Sequence, residues 1–524
     1  MRLAVIAAVA VAALAAPAAS AVPARAVSPG YTVQTGLTFR ATGLGPSGSA
    51  ACDVAYDLYM PDPAPAPHSA PAILFTNGFG GSKSDGAAMA RFFAPQGYVV
   101  LAYSGLGFGG SGCQIELDSP EWDGRTAAEL IDLLGTMPAV RLDGPDDPRV
   151  GMFGGSYGGA VQLAAASVSP KLDTIVPQIT WNDLAYSLAP NNTSPSFAWD
   201  TVPGVAKAEW TAHFFAEGLA SPLENLQTRP LVDSTLNGCP GFDPKVCGDA
   251  VLTLGTGAPD ASTTAFLRHA SMVGYGSAVR IPTMLMQGEG DTLFNVDEAV
   301  ANRAMLMANG APVKLVLQSW GHSFSGDPTD NTSFSDPARP TYEDSLVQRW
   351  FDQYLKGLPV DTGPAVEYFR DWLYDPGAPS DVAAYGAAPS WPIAPMQTVA
   401  LSAGSRLVPP ASVARGSASF ASAPGPGSYS ETAGLQYRAP FSSIPPLDPP
   451  GTYASWTTAP LSADVDVAGV PTLSARITTS VPPVLGLAPT MPVLFGKLYD
   501  VAPDGSESLL FPRGVAPIRI ADTS

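Results

Sequence analysis

The chain has 524 residues, with 27 Lys and Arg against 46 Asp and Glu, and a formal net charge of −19. That balance excludes a nucleic-acid binder, which needs a basic footprint for the phosphate backbone, and equally a reader of anionic membrane surfaces. With 46% hydrophobic residues, nine Trp, 52 Gly and 54 Pro, the composition is that of a loop-rich globular protein with a large core, not of a disordered chain.

Met1 and Arg2 precede an uncharged, Ala/Val-rich run from Leu3 to Ala16. Small residues follow, and Ala19-Ser20-Ala21 and Ala24-Arg25-Ala26 both fit a small-x-small cleavage site. This layout predicts a secretory signal peptide over 1–26, too short to span a bilayer; the competing readings are an uncleaved anchor or a buried helix. The expected location is therefore secreted, with no membrane span once the signal is removed. An oxidising compartment favours disulfides among Cys52, Cys113, Cys239 and Cys247, for which three pairings exist. Cys239–Cys247 closes a short loop holding two prolines, which leaves Cys52–Cys113. The spacing fits no zinc ribbon, and no metal or cofactor is expected.

In chain order, Cys52 to Met60 alternates, with Asp53 and Asp57 on one face, and predicts a half-exposed strand. Ala72 to Phe75 and Tyr98 to Tyr103 are short apolar runs ending at glycines, the signature of buried parallel strands. Ala127, Leu130, Ile131, Leu134 and Met137 share one helical face, with Ser119 as predicted N-cap and Pro120 in the first turn. The alternation continues with strand Val150 to Phe153, helix Gly158 to Ser167 and strand Thr174 to Thr180. It resumes with strand Pro282 to Gln287, helix Asp297 to Asn309, strand Val313 to Gln318 and helix Tyr342 to Lys356. Strands and helices taking turns predict a parallel sheet covered on both faces. Residues 181–280 break the rhythm with aromatic clusters, among them Phe197 and Trp199, and read as a largely helical cap insertion. From 363 to 524, β-like runs (Val366 to Phe369, Thr398 to Ser402, Thr472 to Thr478, Val493 to Val501) lie between Pro/Gly/Ser-rich stretches, and Pro503-Asp504-Gly505 marks a turn. The expected organisation is a signal peptide (1–26), a core in two parts (27–180 and 281–362), the cap between them, and a C-terminal β-sandwich (363–524).

Gly154-Gly-Ser-Tyr-Gly158 is the chain's one G-x-S-x-G, and it sits between a predicted strand and a predicted helix. That context is a nucleophile elbow, which lifts the Ser156 hydroxyl above the sheet. Of His68, His213, His269 and His322, only His322, in SWGHSF, directly follows a late core strand, where a general base belongs in the order Ser…Asp…His. Asp291, in the turn after Pro282 to Gln287, is the predicted orienting acid; Glu289 and Asp297 are its rivals, and Asp297 reads as the N-cap of the next helix. The oxyanion donors are expected to be the backbone N–H groups of Tyr157 and of Phe79 in NGFGG. Trp181 and Trp210 are candidates for an acyl pocket. Gly105, Gly107 and Gly110 match a dinucleotide fingerprint, but no helix opens there to receive a pyrophosphate; GFGGSKS (78–84) lacks the glycine before lysine that a phosphate loop needs.

QGYVVLAYSGLGFGGSG (96–112), EWDGRTAAELIDLL, DPRVGMFGGSYGGAVQLAAA (147–166), GEGDTLF and SWGHS together resemble the X-prolyl dipeptidyl peptidase and cocaine-esterase family of α/β-hydrolases. The resemblance implies a helical cap, a C-terminal jelly roll, and Ser156, Asp291 and His322 as a triad acting on X-Pro peptides, esters of small acids or β-lactam side-chain amides. Many members donate to the oxyanion from a tyrosine hydroxyl where this chain has Phe79. The expected function is a secreted serine hydrolase of esters, amides or short peptides, with esters preferred to X-Pro amides. The alternatives are a strict X-Pro dipeptidyl peptidase, an extracellular acyltransferase using the same triad, and a non-catalytic binding protein on a hydrolase scaffold.

Overall fold

The computed structural model describes residues 30–191, 204–224, 239–323, 332–378, 380–421, 450–478, 492–510 and 515–520. The expected signal peptide lies outside them, as do Phe197 and Trp199.

The apolar runs that stop at glycines are strands of one sheet. In chain order these strands are β1 (Tyr31–Leu44), β2 (Ala50–Pro61), β3 (Ala72–Thr76), β4 (Val99–Tyr103), β5 (Val150–Gly155), β6 (Thr174–Gln178), β7 (Thr283–Gly288), β8 (Val313–Gln318), β9 (Val366–Phe369) and β10 (Tyr385–Ala388). They lie in the order β1-β2-β4-β3-β5-β6-β7-β8-β9-β10. Neighbours from β4 to β9 are parallel, whereas β1–β2, β2–β4 and β9–β10 are antiparallel. Helices α1 (Ala87–Phe93), α2 (Arg125–Gly135) and α3 (Tyr157–Val168) interleave with the first strands. Between β6 and β7 come α4 (Leu184–Leu188), α5 (Ala208–Glu224), α6 (Pro244–Thr256), α7 (Ala261–His269) and α8 (Met272–Tyr275), so the described part of the insertion is helical. Helices α9 (Val296–Ala308) and α10 (Tyr342–Phe351) follow. This is the α/β-hydrolase architecture.

Every residue of β3, β4 and β6 is buried, as a sheet covered on both faces requires. Strand alternation sends Leu74, Leu101 and Met152 into one apolar layer with Leu130, Leu134 and Leu163 of α2 and α3. Ile73, Phe75, Val100 and Phe153 enter the opposite layer with Phe92, Phe93, Val347 and Phe351 of α1 and α10. A third, mostly aromatic cluster joins core to insertion through Phe108, Tyr157, Trp181, Leu184, Phe242 and Phe294.

Several local expectations need correction. β2 is not half-exposed along its length: Asp57 is 5% exposed and pairs with Lys83. This is possible because β1 covers the outer edge of β2. Ser119 stands at the N-cap with Pro120 in the first turn, as expected, but its side chain makes no capping hydrogen bond; a π-turn at Pro120–Gly124 leads into α2, and the Ser119 carbonyl accepts from the N–H groups of Trp122 and Gly124. The N-cap of α9 is Asn295, which places Asp297 inside the first turn. The sheet also runs past residue 363, the expected start of the β module, because Val366 and Phe369 of β9 are buried and Val366, Glu367 and Tyr368 pair in parallel with β8. Beyond β10 the described residues form three two-stranded antiparallel pairs. Ala400–Ser402 pairs with Arg406–Val408, Val493–Gly496 with Ala516–Arg519, and Tyr499–Val501 with Glu507–Leu509 around the Pro503-Asp504-Gly505 turn. Thr472 to Thr478 forms no strand.

The disulfides are Cys52–Cys113 and Cys239–Cys247, and no cysteine is free. The first ties β2 to the loop after β4, and the second closes the entry to α6 in the insertion. No helix among the described residues is long and apolar enough to cross a membrane.

Candidate active site

Ser156 stands between β5 and α3 with φ 58° and ψ −119°, a conformation L-residues rarely adopt. The surrounding chain holds it there. Its N–H donates to the Gln178 carbonyl (2.9 Å), and its carbonyl accepts from Thr180 Oγ1 (3.0 Å) and from the N–H of Gly159 (2.9 Å). Gln162 braces the turn from one helical turn below: its Nε2 donates to the carbonyls of Gly154 (3.0 Å) and Gly158 (2.8 Å). The flanking glycines are a steric requirement. A Cβ on Gly154 would stand 2.6 Å from the Gly158 carbonyl oxygen, and one on Gly158 would stand 2.5 Å from that of Thr76.

The Ser156 hydroxyl lies 2.8 Å from His322 Nε2, and His322 Nδ1 lies 2.7 Å from Asp291 Oδ2. Asp291 is 3% exposed and fully satisfied. Its Oδ2 also accepts from the His322 N–H (3.0 Å), and its Oδ1 accepts from the N–H groups of Leu293 (2.9 Å) and Phe294 (3.0 Å). With Nδ1 donating to the carboxylate, Nε2 is left to accept from the serine. The Phe294 ring stands perpendicular to the imidazole, at 5.0 Å between centroids, and limits its rotation. Of the rival acids, Asp297 meets Tyr186 Oη. His68 faces the Val140 carbonyl, His269 faces Glu121, and His213 faces Glu217.

The loop after β3 comes up against the serine. A Cβ on Gly78 would stand 3.8 Å from Ser156 Cβ. Phe79 is held edge-on by Phe108 (5.0 Å), Phe214 (5.1 Å) and Tyr157 (5.7 Å). Tyr157 in turn is fixed by its buried hydroxyl, which accepts from the Asp118 N–H (3.1 Å). Among the described residues neither the Phe79 N–H nor the Tyr157 N–H has an acceptor, so both can serve a ligand oxygen beside Ser156.

Over the serine opens a cavity of about 900 Å³, mouth included, walled chiefly by Phe79, Trp181, Phe214, Phe215, Phe242 and Phe294. Trp181 is part of that wall and is 3% exposed. Trp210 is not part of it: its ring stacks on Phe214 (5.6 Å) and meets the His322 ring edge-on at 6.2 Å. Among the described residues the wall holds one carboxylate, Asp249, which is ion-paired with Lys245 at 2.9 Å.

Beneath Tyr157 lies a group of buried acids. Burial pushes Asp123 up to about 7; burial, reinforced by Asp243, Asp123 and Glu121, pushes Glu116 up to about 8. Asp118 is raised well above the carboxylate range by burial and then by Asp123, and burial raises Glu298 to about 8. The unfolded chain releases these protons near pH 4. The folded state therefore binds more protons between about pH 4 and 8, and stability falls as pH rises through that window. The expected result is a Tm lower at pH 8 than at pH 5.5, with Asp118→Asn flattening the dependence. A Tm that climbs over the same interval would contradict it.

Sequence reasoning missed Gln162, the buried acids beneath Tyr157, and Lys207, which donates to the backbone of the Asp291 turn. Gln162 had a signal, since a polar residue stands in an otherwise apolar helical run, AVQLAAA.

The sequence model of one family, described as X-Pro dipeptidyl-peptidase (S15 family), matches residues 51–324. A bis(hydroxyethyl) terephthalate hydrolase of Streptomyces coelicolor is 31% identical over 111 residues, which cover 21% of this chain and 33% of that protein. The match thus spans about a third of that relative's length. Among solved structures, an aminopeptidase from a marine sediment Thaumarchaeota archaeon is similar with a TM-score of 0.45 and 14% identity, covering 75% of this chain and 65% of that one. An esterase of Pyrococcus furiosus is similar with a TM-score of 0.38 and 15% identity, covering 64% and 97%.

Proposed function

The chain belongs to the X-Pro dipeptidyl-peptidase (S15) family, and on that premise we propose that it is a secreted serine hydrolase acting through Ser156, His322 and Asp291. The observation that carries this reading is the continuous hydrogen-bonded relay from the Ser156 hydroxyl through His322 to the satisfied Asp291 carboxylate. Ser156 Oγ attacks the carbonyl carbon while His322 Nε2 takes the serine proton, and the imidazolium so formed is held by Asp291. The N–H groups of Phe79 and Tyr157 receive the oxyanion. His322 then gives its proton to the leaving group, water takes the leaving group's place, and a second tetrahedral intermediate releases the acid. The two disulfides accord with an exported protein. In domain terms, residues 181–280 act as the cap, and the β module begins after β10.

The substrate class follows from the cavity. Among the described residues its wall is chiefly apolar and aromatic, and the one carboxylate there is ion-paired with Lys245. An X-Pro dipeptide would bring a free ammonium, whose burial needs an unpaired acceptor. An apolar acyl group, aliphatic or aromatic, needs none. Esters of such acids are therefore the proposed substrates, and X-Pro amides are poor ones. The bis(hydroxyethyl) terephthalate hydrolase of Streptomyces coelicolor is in keeping with this reading.

A panel comparing p-nitrophenyl butyrate and benzoate with Gly-Pro-p-nitroanilide tests it. The esters are expected to be turned over at least 100-fold faster in kcat/KM; efficient cleavage of the anilide with negligible esterase activity would reverse the assignment. On the same esters Phe79→Ala keeps the N–H and is expected to retain most of kcat. Phe79→Pro deletes that donor and is expected to lose about 10²-fold or more.

A further inference from the structure

Lys207 is anchored in the insertion at both its backbone groups. Its N–H donates to the Leu188 carbonyl (2.8 Å), and its carbonyl accepts from the Thr211 N–H (3.0 Å) in the first turn of α5. Its side chain leaves the insertion and crosses to the core. There the ammonium donates to the carbonyls of Thr292 (2.6 Å) and Leu293 (2.9 Å). This is the same turn whose N–H groups grip Asp291 Oδ1. The turn also reaches the histidine loop: the N–H of Thr292 donates to Ser323 Oγ (2.8 Å), and the two hydroxyls lie 2.7 Å apart. One cation thus closes a ring of contacts made of the acid, the turn that carries it, and the residue next to His322.

We propose that Lys207 is a positioning residue through which the cap holds Asp291, and through it His322, in working geometry and tunes the charge at the imidazole. The proposal rests on the triad reading given above. Charge-assisted bonds to two successive carbonyls fix the turn more firmly than a neutral donor would. The carboxyl groups facing the ammonium are Asp291 from the turn after β7 and Glu298 from α9, the latter raised by burial to about 8. His322 lies on the far side of Asp291, and Asp183, paired with Arg268, lies beyond Glu298. Burial lowers Lys207 to about 8 against the pull of both carboxylates, so it is largely charged at neutral pH. Its positive charge partly offsets that of Asp291 as felt by the imidazole. Removing it leaves the carboxylate freer to stabilise the imidazolium, so the acid limb of the rate profile moves upward.

The test is the pH profile of kcat/KM on p-nitrophenyl butyrate for wild type, Lys207→Met and Lys207→Arg, each normalised to the fraction of molecules that a fluorophosphonate titrates. Normalisation removes any misfolded fraction from the comparison. Lys207→Met is expected to lose 10- to 100-fold, chiefly in kcat, and to move the acid limb upward by about half a pH unit or more. Lys207→Arg keeps the charge and is expected to restore the wild-type limb and most of the rate. A loss in Lys207→Met with an unmoved limb would mean packing alone, and an unchanged variant would remove the role altogether; either overturns the proposal. Failure of the triad reading would show differently, as a wild type that the fluorophosphonate does not label at Ser156.

Discussion

Ser156→Ala is expected to lower kcat on p-nitrophenyl butyrate by about 10⁴- to 10⁶-fold while the thermal transition stays in place. Among the described residues the hydroxyl's one hydrogen bond to a side chain is with His322, so its removal leaves no other group there unsatisfied. The strained backbone at position 156 is held by main-chain bonds and by Gln162, none of which uses the serine side chain. Alanine meets the same positive φ at the same cost as serine. Activity loss without destabilisation is therefore the specific signature. A large fall in Tm would instead mean that the elbow depends on the hydroxyl. Retained ester turnover would mean that another residue is the nucleophile.

Asp291→Asn is expected to cost about 10⁴-fold in kcat. The carboxylate now accepts four hydrogen bonds: two on Oδ1 from backbone N–H groups, and two on Oδ2 from the His322 N–H and Nδ1. An asparagine can keep its oxygen on only one side. If it serves Leu293 and Phe294, its NH₂ faces Nδ1 and forces that nitrogen to accept. The proton then sits on Nε2, where it can no longer take one from Ser156. The His322 N–H also loses its acceptor. Asp297→Asn, in the first turn of α9 and hydrogen-bonded to Tyr186, is expected to leave kcat within a few-fold of wild type. An equal loss in both variants would point away from Asp291 as the orienting group.

The elements legible in the sequence were those whose burial pattern is monotonous. β3, β4 and β6 are buried on both faces, so their apolar runs can be read without knowing what covers them. The G-x-S-x-G turn was legible because its glycines answer to a local clash of strand against helix. β1 was not: its pairing with β2 shifts register between Gln34 and Leu37 and again between Ala41 and Leu44, and each shift breaks the alternation that marks a strand. β9 and β10 carry the same short apolar pattern as strands of a separate β module, and only the pairing of β9 with β8, and of β10 with β9, decides which sheet they join. The same holds within the site. The placement of His322 and Asp291 beside Ser156 could be anticipated from chain order, because the fold fixes which strand ends meet over the sheet. Lys207 could not be, because nothing local distinguishes a lysine that crosses from the insertion to the Asp291 turn from one that points to water. Trp210 was a reasonable wall residue by composition, but its place on α5 turns it to the His322 ring rather than into the cavity.

The most direct test of the account is to react the intact protein with a fluorophosphonate at neutral pH and locate the adduct by peptide mass spectrometry. One equivalent is expected to bind, on the peptide containing Gly154 to Gly158 and at Ser156, with labelling abolished in Ser156→Ala and slowed by orders of magnitude in His322→Ala. Labelling at a different residue, or no stoichiometric labelling of a folded protein, would contradict it.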